Sequence, residues 1–73
     1  MKAKVVIHEW EGDRSSALGG FNLVIRVGEE TFKDVDSPRY NTENERLHQL
    51  SRMRKKARKV SKALNLEVEE DIY

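Results

Sequence analysis

The stretch that decides the fold runs from Thr42 to Asn65 and reads TENERLHQLSRMRKKARKVSKALN. It opens with the S/T-x-x-E pattern of a capping box, and Asn65 is typical of the left-handed residue that ends a helix. Neither Gly nor Pro interrupts it. Its apolar residues recur at steps of three and four, the period of an α-helix: Leu47, Leu50, Met53, Ala57, Val60 and Leu64. The stretch therefore predicts one long helix from Glu43 to Leu64.

The same stretch separates positive charge from apolar surface. No Asp or Glu occurs between Glu45 and Glu67, although eight of the chain's 14 Lys and Arg residues lie there. They are Arg46, Arg52, Arg54, Lys55, Lys56, Arg58, Lys59 and Lys62. Exposed helices commonly mix Glu with Lys at i, i+4 spacing, and this one does not. It is either an ordinary solvated surface or a face that binds an anionic partner, since unrelieved like charges cost stability.

The composition of the whole chain bounds its class. A length of 73 residues predicts a single small domain over residues 1–73, and 37% hydrophobic with 37% charged residues is globular in character. The chain has no Cys, which fits a reducing compartment, and no apolar run of signal-peptide or membrane-spanning length, so we expect a cytoplasmic location and no membrane. Although the net charge is only +1, positive and negative charges are concentrated in different segments. Residues 46–66 carry +8 and the last seven residues carry −4.

Before the helix, three segments are rich in β-forming residues. They are Lys2–Glu11, Phe21–Val27 and Thr31–Asp36. Gly28-Glu29 suits a two-residue type II′ turn, which sets Val27 opposite Glu30 and Ile25 opposite Phe32. In the first segment the alternation leaves two choices of buried face, either Val5 with Ile7 or Val6 with Trp10.

Two further segments complete the predicted architecture. Residues 12–20 (GDRSSALGG) read as a flexible loop, and residues 69–73 read as an acidic, mobile tail, although Leu66–Glu69 alternates like a short strand. We therefore predict an α+β fold in the order β-β-β-α(-β). In it a small antiparallel sheet of three strands, or four, is covered on one face by one long carboxy-terminal helix.

The face of the sheet away from the helix is the candidate for self-association. Apolar strand residues left over after one face is covered include Val6, Trp10, Val24 and Val35, and such patches often mark interfaces. We predict a homodimer through this face or through an edge strand. The alternative is that Trp10 merely folds over the edge of the sheet.

Catalytic and metal-binding patterns are weak in this sequence. There is no Cys nucleophile, and neither His8 nor His48 belongs to a zinc-binding spacing. The acidic end lacks the Gly-punctuated loop of an EF-hand, and Gly19-Gly20 lacks the context of a phosphate-binding loop. We therefore expect a protein that is not an enzyme and uses no metal or cofactor.

Electrostatic recognition is the function that the helix favours. Its cationic face can follow phosphates by backbone contact, and the predicted nucleic-acid-binding residues are Arg52, Lys55, Lys56, Arg58, Lys59 and Lys62. The alternative is an adaptor or small inhibitor that docks this face on an acidic protein surface. The sequence leaves open whether the partner is DNA, RNA or protein.

Residues 54–58, Arg-Lys-Lys-Ala-Arg, resemble the K-K-x-A-K signature of double-stranded RNA-binding domains. The resemblance implies that Arg54, Lys55 and Arg58 contact phosphates, and the β-β-β-α order is similar as well. The chain departs from that family because it lacks an amino-terminal helix and a Gly-Pro-x-His loop. Here the motif also lies in the middle of the predicted helix rather than at its start.

Overall fold

A computed structural model of the protein describes residues 2–12 and 18–72. Within these residues the chain forms an α-helix, α1 (Glu43–Leu64), and five strands. The strands are β1 (Ala3–Glu11), β2 (Gly19–Val27), β3 (Glu30–Asp36), β4 (Arg39–Tyr40) and β5 (Glu67–Asp71). The predicted α+β fold is confirmed.

Both ends of α1 follow from its sequence. The Thr42 hydroxyl accepts a hydrogen bond from the Glu45 N–H at 3.1 Å, and the Glu45 carboxylate accepts one from the Asn41 N–H at 3.1 Å. The carboxylate thus reaches one residue further back than in the standard capping box. Asn65 ends the helix in the left-handed conformation (φ 54°, ψ 51°), and its N–H donates to the Ser61 carbonyl. The predicted bounds of the helix are confirmed.

The sheet has the strand order β3-β2-β1-β5, and β4 also pairs with β2. Strands β1, β3 and β4 run antiparallel to β2, whereas β5 runs parallel to β1. The sheet is therefore mixed, and mostly antiparallel. Its parallel pair arises because α1 carries the chain from β4 across to the opposite edge, which is how parallel strands are usually connected.

Strand β5 occupies most of the segment that the sequence predicts as a mobile tail. Its five residues pair with residues 4–8 of β1, so that Val68 lies opposite Val5 and Glu69 opposite Val6. The acidic side chains of β5 form ion pairs with Lys2, Lys4 and Arg54, and the Asp71 carboxylate lies 2.7 Å from His8 Nδ1. These contacts place residues 69–71 in the sheet, and residue 73 lies outside the described residues.

The hairpin between β2 and β3 follows the predicted turn but not the predicted register. Gly28 has φ 65°, and Val27 pairs with Glu30 as expected. Two irregularities in β3 then shift the pairing, so that Ile25 lies opposite Lys33. Phe32, predicted to lie opposite the apolar Ile25, is instead 74% exposed. The sequence pattern did not predict this register, because a bulge adds a residue to one strand and moves the following side chains to the other face.

The core lies between α1 and one face of the sheet. On β1 this face carries Val5 and Ile7, so the first of the two alternation choices is the correct one. The core residues are Val5, Ile7, Phe21, Leu23, Tyr40, Leu50, Met53 and Ala57. The helix contributes a narrow seam, because Leu47 and Leu64, at its two ends, are both about half exposed.

The loop predicted at residues 12–20 lies mainly at positions 13–17, outside the described residues. Gly19 and Gly20 belong to β2 and are buried, whereas the sequence placed them in the flexible part of the loop. A Cβ on Gly19 would come within 2.6 Å of the Trp10 carbonyl oxygen, and one on Gly20 within 2.6 Å of the Trp10 ring. These glycines are therefore required by close packing rather than by flexibility.

Candidate nucleic-acid interface

The eight cations of α1 fall into two groups of four. In the first group each side chain contacts a carboxylate: Arg46 with Glu9, Arg52 and Lys56 with Asp36, and Arg54 with Glu70. In the second group are Lys55, Arg58, Lys59 and Lys62, which are exposed and form no ion pair with any residue in the described ranges 2–12 and 18–72. We call this second group the cationic ridge.

The cationic ridge is a product of helical spacing. At about 100° per residue its four side chains fall within an arc of roughly 100°, on the side opposite the buried Met53 and Ala57. From Lys55 to Lys62 the helix rises about 10 Å, at ~1.5 Å per residue. His48 is exposed on the same side, nearer the start of the helix. The ridge is therefore a compact, outward-facing group of four positive charges.

On one flank of the ridge, Asp36 of β3 holds two cations. Its carboxylate accepts a hydrogen bond from Lys56 Nζ at 2.8 Å, and Arg52 Nη2 lies 3.8 Å away. The hydrogen bond from Lys56 is the main cause that lowers the pKa of Asp36 below its ordinary value. Arg52 also donates a short hydrogen bond to the Gln49 side chain. Two of the six predicted binding residues, Arg52 and Lys56, thus have partners within the protein.

On the other flank, a groove separates α1 from β5. It is lined by Ile7, Val68, Arg54, Arg58 and Glu70, and has a volume of about 340 Å³. Arg54 donates to the Glu70 carboxylate from Nη2 at 2.8 Å and from Nε at 3.1 Å. This contact raises the pKa of Arg54. Of the three residues that carry the resemblance to the RNA-binding signature, Lys55 and Arg58 belong to the ridge, and Arg54 is held by β5.

At its first turn, α1 carries a buried ion pair that sequence reasoning missed. The Glu9 carboxylate is only 2% exposed and accepts from Arg46 Nε at 2.7 Å, from Arg46 Nη2 at 3.1 Å and from the Tyr40 hydroxyl at 2.5 Å. Burial, together with the neighbouring Glu9 charge, raises the pKa of Tyr40 to about 12. Glu9 raises the pKa of Arg46 as well. At neutral pH this cluster holds a neutral phenol and a paired carboxylate, which suits it to fixing α1 on the sheet.

The sequence contains a pattern from which the pair between Glu9 and Arg46 could have been predicted. Glu9 continues the alternation Val5, Ile7, Glu9 on the face of β1 that is now known to be buried. Arg46 stands seven residues before Met53 and so on the core side of the helix. A carboxylate and an arginine on facing buried positions predict a pair, but only once the buried face of β1 is known.

The four residues predicted for a dimer interface do not form one exposed apolar patch. Val35 packs against the core under α1, and the Trp10 ring lies against Gly20. Val6 and Val24 face away from the helix but are only 2% and 7% exposed. They line a polar pocket of about 340 Å³ whose rim includes His8 and Glu69. The homodimer stays a prediction, which sedimentation velocity at high protein concentration would check.

The described residues contain no group of three side chains that could hold a metal ion. His8 Nδ1 lies 2.7 Å from the Asp71 carboxylate on the face of the sheet away from the helix. Within the same part of the chain, no helix is long and apolar enough to cross a membrane.

Comparison of the chain with known protein families, curated proteins and solved structures finds no match. The resemblance of residues 54–58 to a double-stranded RNA-binding signature therefore rests on those residues and on the order of the elements. The cationic ridge and its two flanks are the structural features that bear on the function of the protein.

Proposed function

We propose that this protein is a small, non-enzymatic module that binds nucleic acid through the cationic ridge of α1, by contacts to the phosphate backbone. Arg52 and Lys56 stand beside the ridge and would contribute once a polyanion competes with Asp36. The binding residues are then the six named from the sequence, in two ranks. Lys55, Arg58, Lys59 and Lys62 form the first rank, and Arg52 and Lys56 the second.

The observation that supports the proposal is the division of the α1 cations into two groups. One group contacts carboxylates, and the other, the cationic ridge, has no ion pair within the described residues. Carboxylates of three different strands reach the four cations on the inner side and the flanks of α1. Lys55, Arg58, Lys59 and Lys62 have no such partner within the described residues. Four like charges within about 10 Å repel one another, and a row of phosphates relieves that repulsion while releasing condensed counterions.

Backbone contact rather than base reading fits the side chains at this surface. Lys presents a flexible point charge, which suits phosphates, whereas base reading needs Arg, Lys, Asn or Gln side chains aimed at base edges. The side-chain amide of Gln49 accepts a hydrogen bond from Arg52. Arg58 is left as the one arginine of the ridge. We therefore expect binding that depends little on sequence.

The test is the affinity for a mixed-sequence duplex and for its separate strands across a salt series, followed by fluorescence anisotropy. The four first-rank contacts alone predict a slope of log K against log salt of about −3.6 for a duplex, and about −2.8 for a single strand. Saturable binding with such a slope supports the proposal. The absence of saturable binding to both at low salt would refute it.

The alternative partner, an acidic protein surface, gives a different result in the same experiment. Its carboxylates would pair with the same four cations, but it has no condensed counterions to release. Oligonucleotide binding would then be weak and would not saturate, whereas a defined acidic protein would be retained by the wild-type chain and lost by a variant without the ridge.

A further inference from the structure

The groove between α1 and β5 has the composition of an anion-binding site. Arg54 and Arg58 stand one helical turn apart on its wall, and Ile7 and Val68 line it with apolar surface. The Arg54 side chain is 50% exposed, so an anion from solvent can reach it. The anion there now is the carboxylate of Glu70.

The contact between Arg54 and Glu70 has the geometry of a guanidinium that binds an oxyanion through two nitrogens. Nη2 donates to Oε1 at 2.8 Å, and Nε donates to Oε1 at 3.1 Å and to Oε2 at 3.3 Å. Phosphate oxygens accept from arginine in the same arrangement. Arg58 lines the same groove and has no ion pair within the described residues, so the site holds two arginines for a single carboxylate.

We propose that Arg54 and Arg58 form a phosphate-binding site in which Glu70 is an internal competitor, so that β5 weakens the binding of polyanions to α1. This inference rests on the proposed function, because the phosphate that replaces Glu70 belongs to the nucleic acid on the cationic ridge. Arg58 belongs to both surfaces and makes them continuous.

Displacement of Glu70 requires little disruption of the fold. The Glu70 side chain is 38% exposed, so it can turn into water without β5 leaving the sheet. The other acidic residues of β5 point to the opposite face, where Lys2, Lys4 and His8 hold Glu67, Glu69 and Asp71 at 2.7–2.9 Å. Strand β5 therefore stays anchored from one face while the groove on the other face exchanges its anion.

The orientation of β5 supplies a matched pair of variants. Glu70→Gln removes a charge on the groove side, and Glu69→Gln removes the same charge one residue away on the other face. Affinity for a mixed-sequence duplex is measured by fluorescence anisotropy across a salt series. We expect Glu70→Gln to tighten binding about two- to fivefold, as for loss of one exposed competing pair. One added phosphate contact should also steepen the salt slope by about 0.9.

Glu69→Gln reports the effect of net charge alone, and we expect it to leave the salt slope unchanged. Adding Arg54→Gln to Glu70→Gln should return both affinity and slope to the wild-type values. An unchanged slope in Glu70→Gln, or an equal change in both single variants, would overturn the inference while leaving the proposed function intact.

A second probe keeps the inference testable if no oligonucleotide binds, a result that refutes the proposed function. The Arg54 Nε–H resonance is followed by NMR while inorganic pyrophosphate is added. We expect the shift in Glu70→Gln to reach half-saturation at a pyrophosphate concentration about two to five times lower than in wild type and Glu69→Gln. The same response in all three proteins would overturn the competition by Glu70.

Discussion

Two cations of the same helix, Arg46 and Lys59, have opposite surroundings. Arg46 lies in the first turn with its side chain 19% exposed, and two of its nitrogens donate to the buried Glu9 carboxylate. Lys59 lies about three and a half turns later, exposed, with no ion pair within residues 2–12 and 18–72. The sequence counts both among the eight cations of the helix, and names only Lys59 as a predicted nucleic-acid-binding residue. The comparison teaches that only charges without an internal partner are evidence for an external one.

The largest expected effect on stability comes from replacing Arg46, the cation that is paired with a buried carboxylate. Arg46→Met should lower the free energy of unfolding by about 3 kcal/mol, because it leaves the Glu9 carboxylate buried without its countercharge. Arg52→Met is the control, since Arg52 is exposed and 3.8 Å from its carboxylate, and we expect a loss below about 1 kcal/mol. Urea denaturation measures both. Equal losses would show that the Glu9 pair does not fix α1.

The Tyr40 hydroxyl should give the next largest effect. Tyr40→Phe removes a hydrogen bond to a buried carboxylate, which is worth about 1.5–3 kcal/mol. The pKa of Tyr40 is about 12 in the folded protein and about 10 in an unfolded chain, so its neutral form is favoured by folding. The stability that it contributes is therefore present below pH 10 and lost as the pH rises towards 12.

The measurement is the difference in free energy of unfolding between wild type and Tyr40→Phe at a series of pH values. We expect that difference to be constant near neutral pH and to shrink above about pH 10. A difference that stays constant up to pH 12 would contradict the coupling between Tyr40 and Glu9.

Removing charges from the cationic ridge should change the free energy of unfolding in the opposite direction and by a smaller amount. Exchange of Lys55, Lys59 and Lys62 for Gln should leave the free energy of unfolding unchanged or raise it by about 0.5 kcal/mol at low salt, because repulsion between like charges is relieved. Added salt should remove the difference by screening. Denaturation at low and high ionic strength checks this. A clear loss of stability in the variant would mean that the lysines have partners in the folded protein.

Asp36 should give a small loss of stability, opposite in sign to the effect of the ridge variant. Asp36→Asn removes its pairs with Lys56 and Arg52, which are partly exposed, and we expect a loss below about 1 kcal/mol at pH 7. The pKa of Asp36 is lowered in the folded protein, so its contribution is present above the unfolded pKa and lost as the pH falls through the folded pKa. The stabilities of wild type and variant should therefore converge as the pH falls through the folded pKa of Asp36. Stabilities that diverge on acidification would contradict a lowered pKa of Asp36 in the folded protein.

The sequence was sufficient to predict features that depend on neighbouring residues. The helix bounds follow from Thr42, Asn65 and the apolar period, and the hairpin turn follows from Gly28. Features set by contacts between distant segments were not predictable in the same way. The bulges that expose Phe32 depend on how β3 meets β2, and the packing of Trp10 against Gly20 depends on the pairing of β1 with β2.

The same distinction applies to the candidate site. The sequence identified the positive face of α1 as a set of residues, because charge and helical period are local properties. It did not distinguish Lys56, held by Asp36, from Lys55, which has no ion pair within the described residues. That distinction needs the position of each strand beside the helix. Strand β5 is the clearest case, since its acidic residues read as a tail and lie in the sheet beside Arg54.

The most direct test of the central claim compares two triple variants with the same net charge. One replaces Lys55, Lys59 and Lys62 with Gln; the other replaces Lys2, Lys33 and Arg39, which are exposed and lie outside α1. The measurement is the salt slope of duplex binding by fluorescence anisotropy. We predict that the ridge variant loses about 2.7 of the wild-type slope, whereas the other variant keeps it. Equal slopes in the two variants would contradict the claim that the ridge, rather than net charge, binds the phosphates.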